Sequence, residues 1–149
     1  MLAADLDAVM VVERSAHKHP WSAELLRREL DHDWSTVLLA IEQAPHGLEQ
    51  VLGYVIFWIV HDELHILNVA TAPAFRRNGV GRLLMMEAES RGRGRGAVLS
   101  TLEVRKSNEP AIQLYLSMGY RQVGLRPRYY ADENEDALVM LHELSGAPL

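Results

Sequence analysis

Apolar residues recur at helical spacing at the start of the chain. Residues 3–17 place Leu6, Val9, Met10 and Glu13 at intervals of one helical turn, and residues 22–31 repeat this period. Ser22 is of the type that caps a helix N-terminus. Pro20 forces the residue before it into extended geometry, which ends the first helix by about residue 17 or 18. We therefore predict a pair of helices joined by a short turn at residues 19–21.

The period then changes to that of extended chain. Residues 36–42, 50–60 and 63–71 are rich in β-branched and aromatic residues, and Pro45, Gly47 and the His61-Asp62 pair lie between them. Such runs, separated by turn residues, are typical of strands. Short connections favour antiparallel neighbours, so these three segments predict a meander.

The second half alternates helices with strands. Residues 80–91 predict a helix that the glycines at 92, 94 and 96 end, and residues 97–104 predict a strand. A helix over 109–118 begins at an Asn108 cap, has Pro110 in its first turn and ends at Gly119. Strands over 120–128 and 135–143 complete an α/β (α+β) mixture around one mixed sheet. The 149 residues contain no repeat or linker, so we predict one domain over 1–149.

Composition excludes several classes of function. The chain has no cysteine, which removes disulfides and thiolate chemistry and is typical of a reducing compartment, the cytoplasm. We recognise no signal peptide and no uncharged apolar run of 18 residues. A net charge of −5 does not favour nucleic acid or anionic membrane as a direct partner, and suits a cationic one. The segment Arg91–Gly96 resembles an RGG-type motif, but a helix exit explains it better.

A basic, glycine-containing turn is the first sign of chemistry. The hexapeptide Arg76-Arg77-Asn78-Gly79-Val80-Gly81 lies between a predicted strand and a predicted helix. Glycines there let backbone amides approach a ligand, and the first helical turn offers unpaired N–H groups to an anion such as pyrophosphate. It is neither a Rossmann turn nor a Walker loop. Alone it fits equally well a basic loop before a helix.

Further motifs give the turn a context. This R-x-x-G-x-G segment follows a strand ending in Val69-Ala-Thr-Ala-Pro73, and Leu102-Glu-Val-Arg-Lys-Ser-Asn108 lies downstream. Together they resemble the acetyl-CoA-binding GNAT acetyltransferase family. His19-Pro-Trp-Ser22, Arg128-Tyr-Tyr130 and Glu135-Asp-Ala-Leu-Val-Met140 are similar to its RimI-type ribosomal-protein-alanine N-acetyltransferases. The resemblance covers about residues 4–143.

The resemblance implies a fold and a cosubstrate. The fold is the GNAT fold, a mixed sheet with splayed central strands flanked by about four helices. The cosubstrate is acetyl-CoA, with no metal. Its binding residues would be Val69, Ala70, Thr71, Arg76, Arg77, Asn78, Gly79, Val80, Gly81, Asn108 and Tyr115. Thr71 departs from the valine usual in the family, but its branched side chain also suits a strand.

The resemblance also implies an acid and a base. Acyl transfer from a thioester needs a neutral amine and a proton for the departing thiolate. Glu103 would be the general base, acting through water, although it could instead be a carboxylate paired with Arg105 or with an edge backbone. Tyr115 would be the general acid, although its spacing alone places it in the core. A Tyr pKa of ~10 against a thiolate near 8.5 costs only about 2 kcal/mol.

By resemblance the acceptor side comprises Trp21, Asn68, Glu103, Tyr129 and Tyr130. Trp21 could equally be a staple between two helices. Glu135 and Asp136 could attract a cationic N-terminus, although an exposed acidic turn is the commoner meaning of such a pair. His61 and His65 share no helical face, so we expect no metal site there.

The family normally opens with a strand that this sequence does not show. Either that strand is missing and the next one becomes a sheet edge, or the start codon is placed too late. The partner expected from the resemblance is the N-terminal α-amine of a small-subunit ribosomal protein, led by alanine, and the chain is expected to be a monomer or weak dimer. A GNAT enzyme of a lysine or small-molecule amine, or a non-catalytic acyl-CoA-binding module, remains an alternative.

Overall fold

The computed structural model describes residues 3–43, 45–76, 78–130 and 134–144. After a short 3-10 turn at Ala3–Asp5, two helices α1 (Leu6–Ala16) and α2 (Ala23–Glu29) precede three strands, β1 (Ser35–Gln43), β2 (Glu49–Val60) and β3 (Glu63–Thr71). Helix α3 (Val80–Gly94), strand β4 (Leu99–Arg105), helix α4 (Glu109–Ser117) and strands β5 (Arg121–Tyr130) and β6 (Glu135–Glu143) follow. The strand order is β1-β2-β3-β4-β6-β5.

The sequence signals at the element ends act as predicted. Ser22 Oγ accepts from the Leu25 N–H at 3.2 Å, and Asn108 Oδ1 accepts from the Ala111 N–H at 3.3 Å. Gly119 takes a φ of 102° just beyond α4, a conformation that glycine adopts without steric cost. The three strands β1, β2 and β3 pair antiparallel, which confirms the predicted meander.

Helix α3 runs three residues further than predicted. We expected Gly92 to end it, yet Gly92 lies inside the helix and is buried. A Cβ there would meet Leu64 Cδ2 at 3.3 Å and the Ala97 side chain at 3.4 Å. Glycine therefore serves close packing of α3 on β3 rather than termination, and the packing outweighs its low helix propensity.

Two apolar clusters cover the two faces of the sheet. On one face, α1 and α2 pack on side chains such as Tyr54, Ile56 and Ala70. On the other, α3 and α4 pack on Val55 and Phe57 and their neighbours. Adjacent residues of β2 thus point to opposite faces, as a strand buried on both sides requires. No helix within the described ranges has the length and apolar character that crossing a bilayer requires.

The sheet opens at its centre. Strands β3 and β4 pair parallel only from Glu63 with Leu99 to Ile66 with Leu102. In β3 the register against β2 shifts so that Leu67 is an extra, bulged residue, and a bulge bends its strand. The rest of β3 stays paired with β2, but its side facing β4 has no strand partner among the described residues. This confirms the splayed central strands that the resemblance implies.

Strand β1 forms one edge of the sheet, and no strand precedes α1 in the described part of the chain. The expectation of an exposed edge therefore agrees with the structure. At the paired end of β2, a Cβ on Gly53 would lie 2.5 Å from the Ala70 carbonyl oxygen. Only glycine allows β2 and the end of β3 to approach this closely.

Buried tyrosines make stability depend on alkaline pH. Burial raises the pKa of Tyr54, Tyr115 and Tyr120 above the usual 10. Below pH 10 both folded and unfolded chains keep these protons, so the stabilisation is complete. Above pH 10 only the unfolded chain releases them, which lowers the free energy of unfolding until the folded pKa is reached. Three such groups give a fall on the order of 4 kcal/mol per pH unit between pH 10 and 12.

Guanidinium unfolding at pH 9, 10 and 11 measures this fall. Tyr120→Phe removes one of these groups and is expected to reduce the slope by about 1.4 kcal/mol per pH unit. An unchanged stability between pH 9 and 11 would contradict the assignment of the buried phenols.

Candidate active site

A cleft of about 1020 Å³ occupies the gap between β3 and β4. Its walls come from the end of α1, the turn before α2, the bulged half of β3, the start of α3, the end of β4 and the face of α4. Its lining includes the glycine turn before α3 and residues of α1 and β6. The bulge and the loss of strand pairing therefore create the cleft.

At one end, the N-terminus of α3 points its free amides into the cleft. Gly79 caps the helix with a φ of 78° and without a side-chain hydrogen bond. Residues 79–82 all line the cleft, so the first-turn N–H groups form an anion cradle. The Arg82 guanidinium donates to Ser117 Oγ at 2.5 Å, and Arg76 donates to the Ala16 carbonyl at 3.3 Å. Both arginines add positive charge at this end.

Tyr115 is held on α4 with its ring in the core. It is 7% exposed and tilts against the Tyr120 ring at 5.8 Å between centroids, yet it also lines the cleft. In the described part of the chain no hydrogen bond engages its hydroxyl. Burial, with a smaller contribution from Tyr130, raises the pKa of Tyr115 to about 12. The phenol therefore stays protonated and can donate a hydrogen bond into the cleft.

Glu103 reaches the cleft from β4, in the segment beyond the last pair with β3. Its side chain is 26% exposed. Arg126 on β5 pairs with Glu103 Oε1 at 3.2 Å, and the hydrogen bond to Glu103 raises the pKa of Tyr129. Glu103 is thus a paired carboxylate, but the partner that the structure shows is Arg126, and Arg105 pairs with Glu135 at 3.5 Å.

Glu135 is a wall residue and not part of an exposed acidic turn. It lies at the start of β6, lines the cleft and is 13% exposed. It accepts the Ser107 N–H at 2.8 Å, and hydrogen bonds from Ser107 lower its pKa. Asp136 accepts the Arg128 N–H at 2.9 Å. Both carboxylates thus have structural partners, which corrects the acidic-turn interpretation.

The aromatic residues of β5 stand beside the proposed base. The Arg105 guanidinium lies over the Tyr130 ring at 4.1 Å, and Tyr129 meets Tyr130 edge-on at 5.1 Å. Burial raises the pKa of Tyr130 to about 12. Tyr130 lines the cleft, while Tyr129 is half exposed and contacts Glu103.

The structure brings most of the predicted site residues to this one cleft. Of the cosubstrate set, Val69, Ala70, Thr71, Arg76, Gly79, Val80, Gly81, Asn108 and Tyr115 line it, and of the acceptor set Trp21, Asn68, Glu103 and Tyr130 do. Asn78 is exposed outside its lining. Arg77 lies outside the described residues. The roles of these residues stay predictions.

Several lining residues were not predicted. Glu13, His17 and Leu114 face the cleft, as does Arg82. Glu13 had a signal in the sequence, since it is a charged residue at the helical spacing of the apolar face of α1. The remaining three were not assigned to the site, because Leu114 reads as core, Arg82 as an exposed helix residue and His17 as the end of the first helix.

The mixed sheet, its central splay and the amide cradle at the start of α3 define an acetyltransferase architecture. The family model of the GNAT acetyltransferases matches residues 6–120, and the chain belongs to this family. Acetyl-CoA is the acetyl donor of the family. Among the described residues, no group of three or more acidic or histidine side chains is placed to hold a metal ion.

Individual relatives narrow the comparison. The ribosomal protein bS18-alanine N-acetyltransferase of Salmonella typhimurium is 33% identical over 95% of this chain and 93% of its own. A Bacillus subtilis protein, provisionally given the same name, is 36% identical over 94% of this chain and 90% of its own. The crystal structure of the ribosomal-protein-S18-alanine N-acetyltransferase from Escherichia coli superimposes with a TM-score of 0.86 at 31% identity, covering 99% of this chain and 93% of that one.

Proposed function

We propose that this chain transfers the acetyl group of acetyl-CoA to the N-terminal α-amine of a protein, an alanine-led small-subunit ribosomal protein. The observation that carries the proposal is the single cleft that holds an anion cradle, a protonated phenol and a carboxylate. Relatives that span nearly the whole chain are named for acetylation of the alanine of bS18. The cleft has room for both a carrier and a peptide end.

The carrier occupies the α3 end. Its diphosphate accepts the N–H groups of the first turn of α3, and its pantetheine arm lies along β3, whose edge toward β4 is open from Leu67 to Thr71. An extended amide chain can hydrogen-bond there as an added strand would. Asn108, besides capping α4, lines this path.

The acceptor enters from the α1 side, between Trp21 and Tyr130. The amine nitrogen attacks the thioester carbonyl carbon, a C–N bond forms and the C–S bond breaks. Glu103 takes the proton that the nitrogen loses, through a water molecule. Tyr115 gives its hydroxyl proton to the departing sulfur. Each proton therefore has a defined origin and destination.

The choice of an α-amine follows from its pKa. An α-amine with a pKa of about 7.7–8.0 is roughly one-tenth neutral at pH 7, whereas a lysine near 10.4 is about 0.04% neutral. That difference corresponds to about 3.4 kcal/mol, which a lysine-directed site would have to supply. One carboxylate acting through water is adequate for the α-amine.

A peptide panel tests the proposal. Purified protein, labelled acetyl-CoA and peptides that differ only in their first residue are compared by mass spectrometry, beside an N-terminally blocked peptide with an internal lysine, and spermine. We expect acetylation of the alanine-led peptide and none of the blocked one. Faster turnover of lysine or spermine would assign a different acceptor, and binding of acetyl-CoA without any turnover would indicate a non-catalytic module.

Gly81→Ala tests the carrier end. The added Cβ would lie 3.4 Å from Leu114 Cδ2 and 3.7 Å from Thr71 Oγ1, which are ordinary contacts, so the fold tolerates it and the helix gains propensity. Leu114 and Thr71 both line the cleft, so the methyl group would narrow the path proposed for the carrier. We expect a Tm at least equal to wild type and a 10-fold or greater rise in the Kd for acetyl-CoA, measured by calorimetry.

Gly94→Ala is the matched control. It lies at the other end of the same helix, and a Cβ there meets nothing within 4 Å. It should leave acetyl-CoA binding unchanged. An equal Kd for acetyl-CoA in Gly81→Ala and wild type would contradict the proposal that the diphosphate binds at this turn.

A further inference from the structure

A buried carboxylate joins three elements at the acceptor end of the cleft. Glu13 on α1 has no exposed surface. Its Oε2 accepts the backbone N–H of Trp21 at 2.8 Å. Its Oε1 accepts from the Tyr54 hydroxyl of β2 and, at 2.9 Å, from Asn68 Nδ2 of β3. One side chain therefore ties the turn before α2 to the bulged strand.

These contacts fix which way the Asn68 amide points. Asn68 Nδ2 also lies 2.9 Å from the Tyr54 hydroxyl oxygen, which is itself bonded to the same Glu13 oxygen, so one N–H of the amide is shared between the two acceptors. A carboxylate accepts but does not donate, and the nitrogen must therefore face Glu13. The amide carbonyl oxygen is turned the other way, and among the described residues it has no hydrogen-bond partner.

The position of Asn68 gives that oxygen a possible role. Asn68 follows the bulge at Leu67 and lines the cleft. It belongs to the open edge of β3, and Glu13 links it to the backbone of Trp21 on the acceptor side. The first peptide N–H of an acceptor belongs to its second residue, next to the residue that carries the reacting α-amine. In a peptide that enters past Trp21, this N–H would lie at this part of the wall.

We propose that Glu13 orients the Asn68 amide so that its carbonyl oxygen accepts a hydrogen bond from the first peptide N–H of the acceptor. Asn68 is then a specificity-determining residue and Glu13 a positioning residue. This rests on the proposed function. It separates a polypeptide end from a free amine or a free amino acid, neither of which has that N–H.

Glu13→Gln tests the positioning. Glutamine keeps the volume, but its amide nitrogen cannot accept a hydrogen bond. If that nitrogen replaces Oε2, the Trp21 N–H loses its acceptor. If it replaces Oε1, Asn68 must turn its oxygen inward and present a donor to the cleft. Because the backbone N–H of Trp21 is a fixed donor whereas the Asn68 amide can turn, we expect the second arrangement. The KM for the alanine-led peptide should then rise about 10-fold, with the KM for acetyl-CoA within 2-fold of wild type.

The matched control is Glu29→Gln. Glu29 is a second buried glutamate, on α2, and accepts from Ser35 Oγ at 2.7 Å and Trp58 Nε1 at 2.8 Å. It does not line the cleft. Both substitutions weaken a buried hydrogen-bonded carboxylate, so we expect both to lower the Tm. Glu29→Gln should leave both KM values unchanged. If the KM for the peptide rises equally in the two variants, Glu13 only stabilises the fold and does not position Asn68.

A depsipeptide probes the hydrogen bond itself. The peptide link between its first and second residues is an ester, which removes the N–H without adding bulk. The amide-to-ester ratio of kcat/KM is measured in wild type, Asn68→Ala and Glu13→Gln, so the intrinsic effect of the ester cancels between enzymes. We expect a ratio about 10-fold larger in wild type than in Asn68→Ala, with Glu13→Gln close to Asn68→Ala.

The same ratio in wild type and Asn68→Ala would overturn the inference and leave the proposed function standing. Wild-type protein that acetylates no peptide would overturn the proposed function and, with it, this inference. The two failures are therefore distinguishable in one set of assays.

Discussion

Replacing Glu103 by glutamine is expected to lower kcat on the order of 100-fold while acetyl-CoA affinity stays nearly unchanged. Glutamine keeps the shape of the side chain but cannot take the proton that the amine loses, and loss of a general base costs about this much. Glu103 is on β4, a different element from the turn at the start of α3. Steady-state kinetics and calorimetric titration with acetyl-CoA measure the two quantities separately.

The ion pair with Arg126 needs its own control. Arg126 is 57% exposed, and exposed pairs of this kind contribute only ~0.2–1 kcal/mol. An incoming amine or water can therefore displace the guanidinium at small cost. Arg126→Gln removes the same pair but keeps the carboxylate, and should change kcat by a few-fold at most. If Arg126→Gln lowers kcat as far as Glu103→Gln does, loss of the ion pair alone accounts for the effect, and the assignment of Glu103 as general base fails.

The element bounds could be predicted because each rested on local signals. The strand over 63–71 and the helix start at Val80 agree with the structure, since β-branched runs, turn residues and caps act over a few neighbours. Where a local rule failed, tertiary packing had overridden it. Gly92 lies inside α3, where it packs tightly against Leu64 of β3 and Ala97.

The site was harder to predict than the fold. The bulge at Leu67 leaves no mark on the period-2 pattern, so the splay came only from the family resemblance. Glu103 was assigned a neighbour in sequence, Arg105, as its alternative partner, but its partner Arg126 is on another strand. Strand β6 lies between β4 and β5 and pairs with both. Contacts between side chains of β4 and β5 therefore depend on two strand registers, which cannot be obtained from a single sequence.

Glu13 is a second residue whose partners could not be predicted from the sequence. Helical spacing placed a carboxylate on an apolar face, which is costly unless several donors surround it. Those donors come from Trp21, Tyr54 and Asn68, on three different elements. The sequence could show that Glu13 needed partners, but only the fold shows which residues they are.

Tyr115→Phe is the second large effect, with kcat expected to fall on the order of 100-fold and the Kd for acetyl-CoA within about 2-fold of wild type. The phenol loses only its oxygen, so the ring packing against Tyr120 remains. Tyr120→Phe is the matched control, since the Tyr120 hydroxyl bonds Ser100 Oγ at 2.6 Å and does not line the cleft. It should lower the Tm and leave kcat near wild type.

The pH dependence separates a proton donor from a packed ring. A Tyr115 pKa of about 12 makes full transfer to a thiolate of pKa ~8.5 uphill by about 5 kcal/mol, more than the 2 kcal/mol expected from an ordinary tyrosine. A carrier thiol bound in the same cleft, as proposed, would also have its pKa raised by burial, which narrows the difference between the two pKa values. The donor form persists to pH 12, so Tyr115 should cause no decline in kcat/KM between pH 8 and 10. A decline in kcat/KM over this range that disappears in Tyr115→Phe would contradict the protonated state of Tyr115. A wild-type kcat in Tyr115→Phe would show that Tyr115 is not the acid that protonates the thiolate.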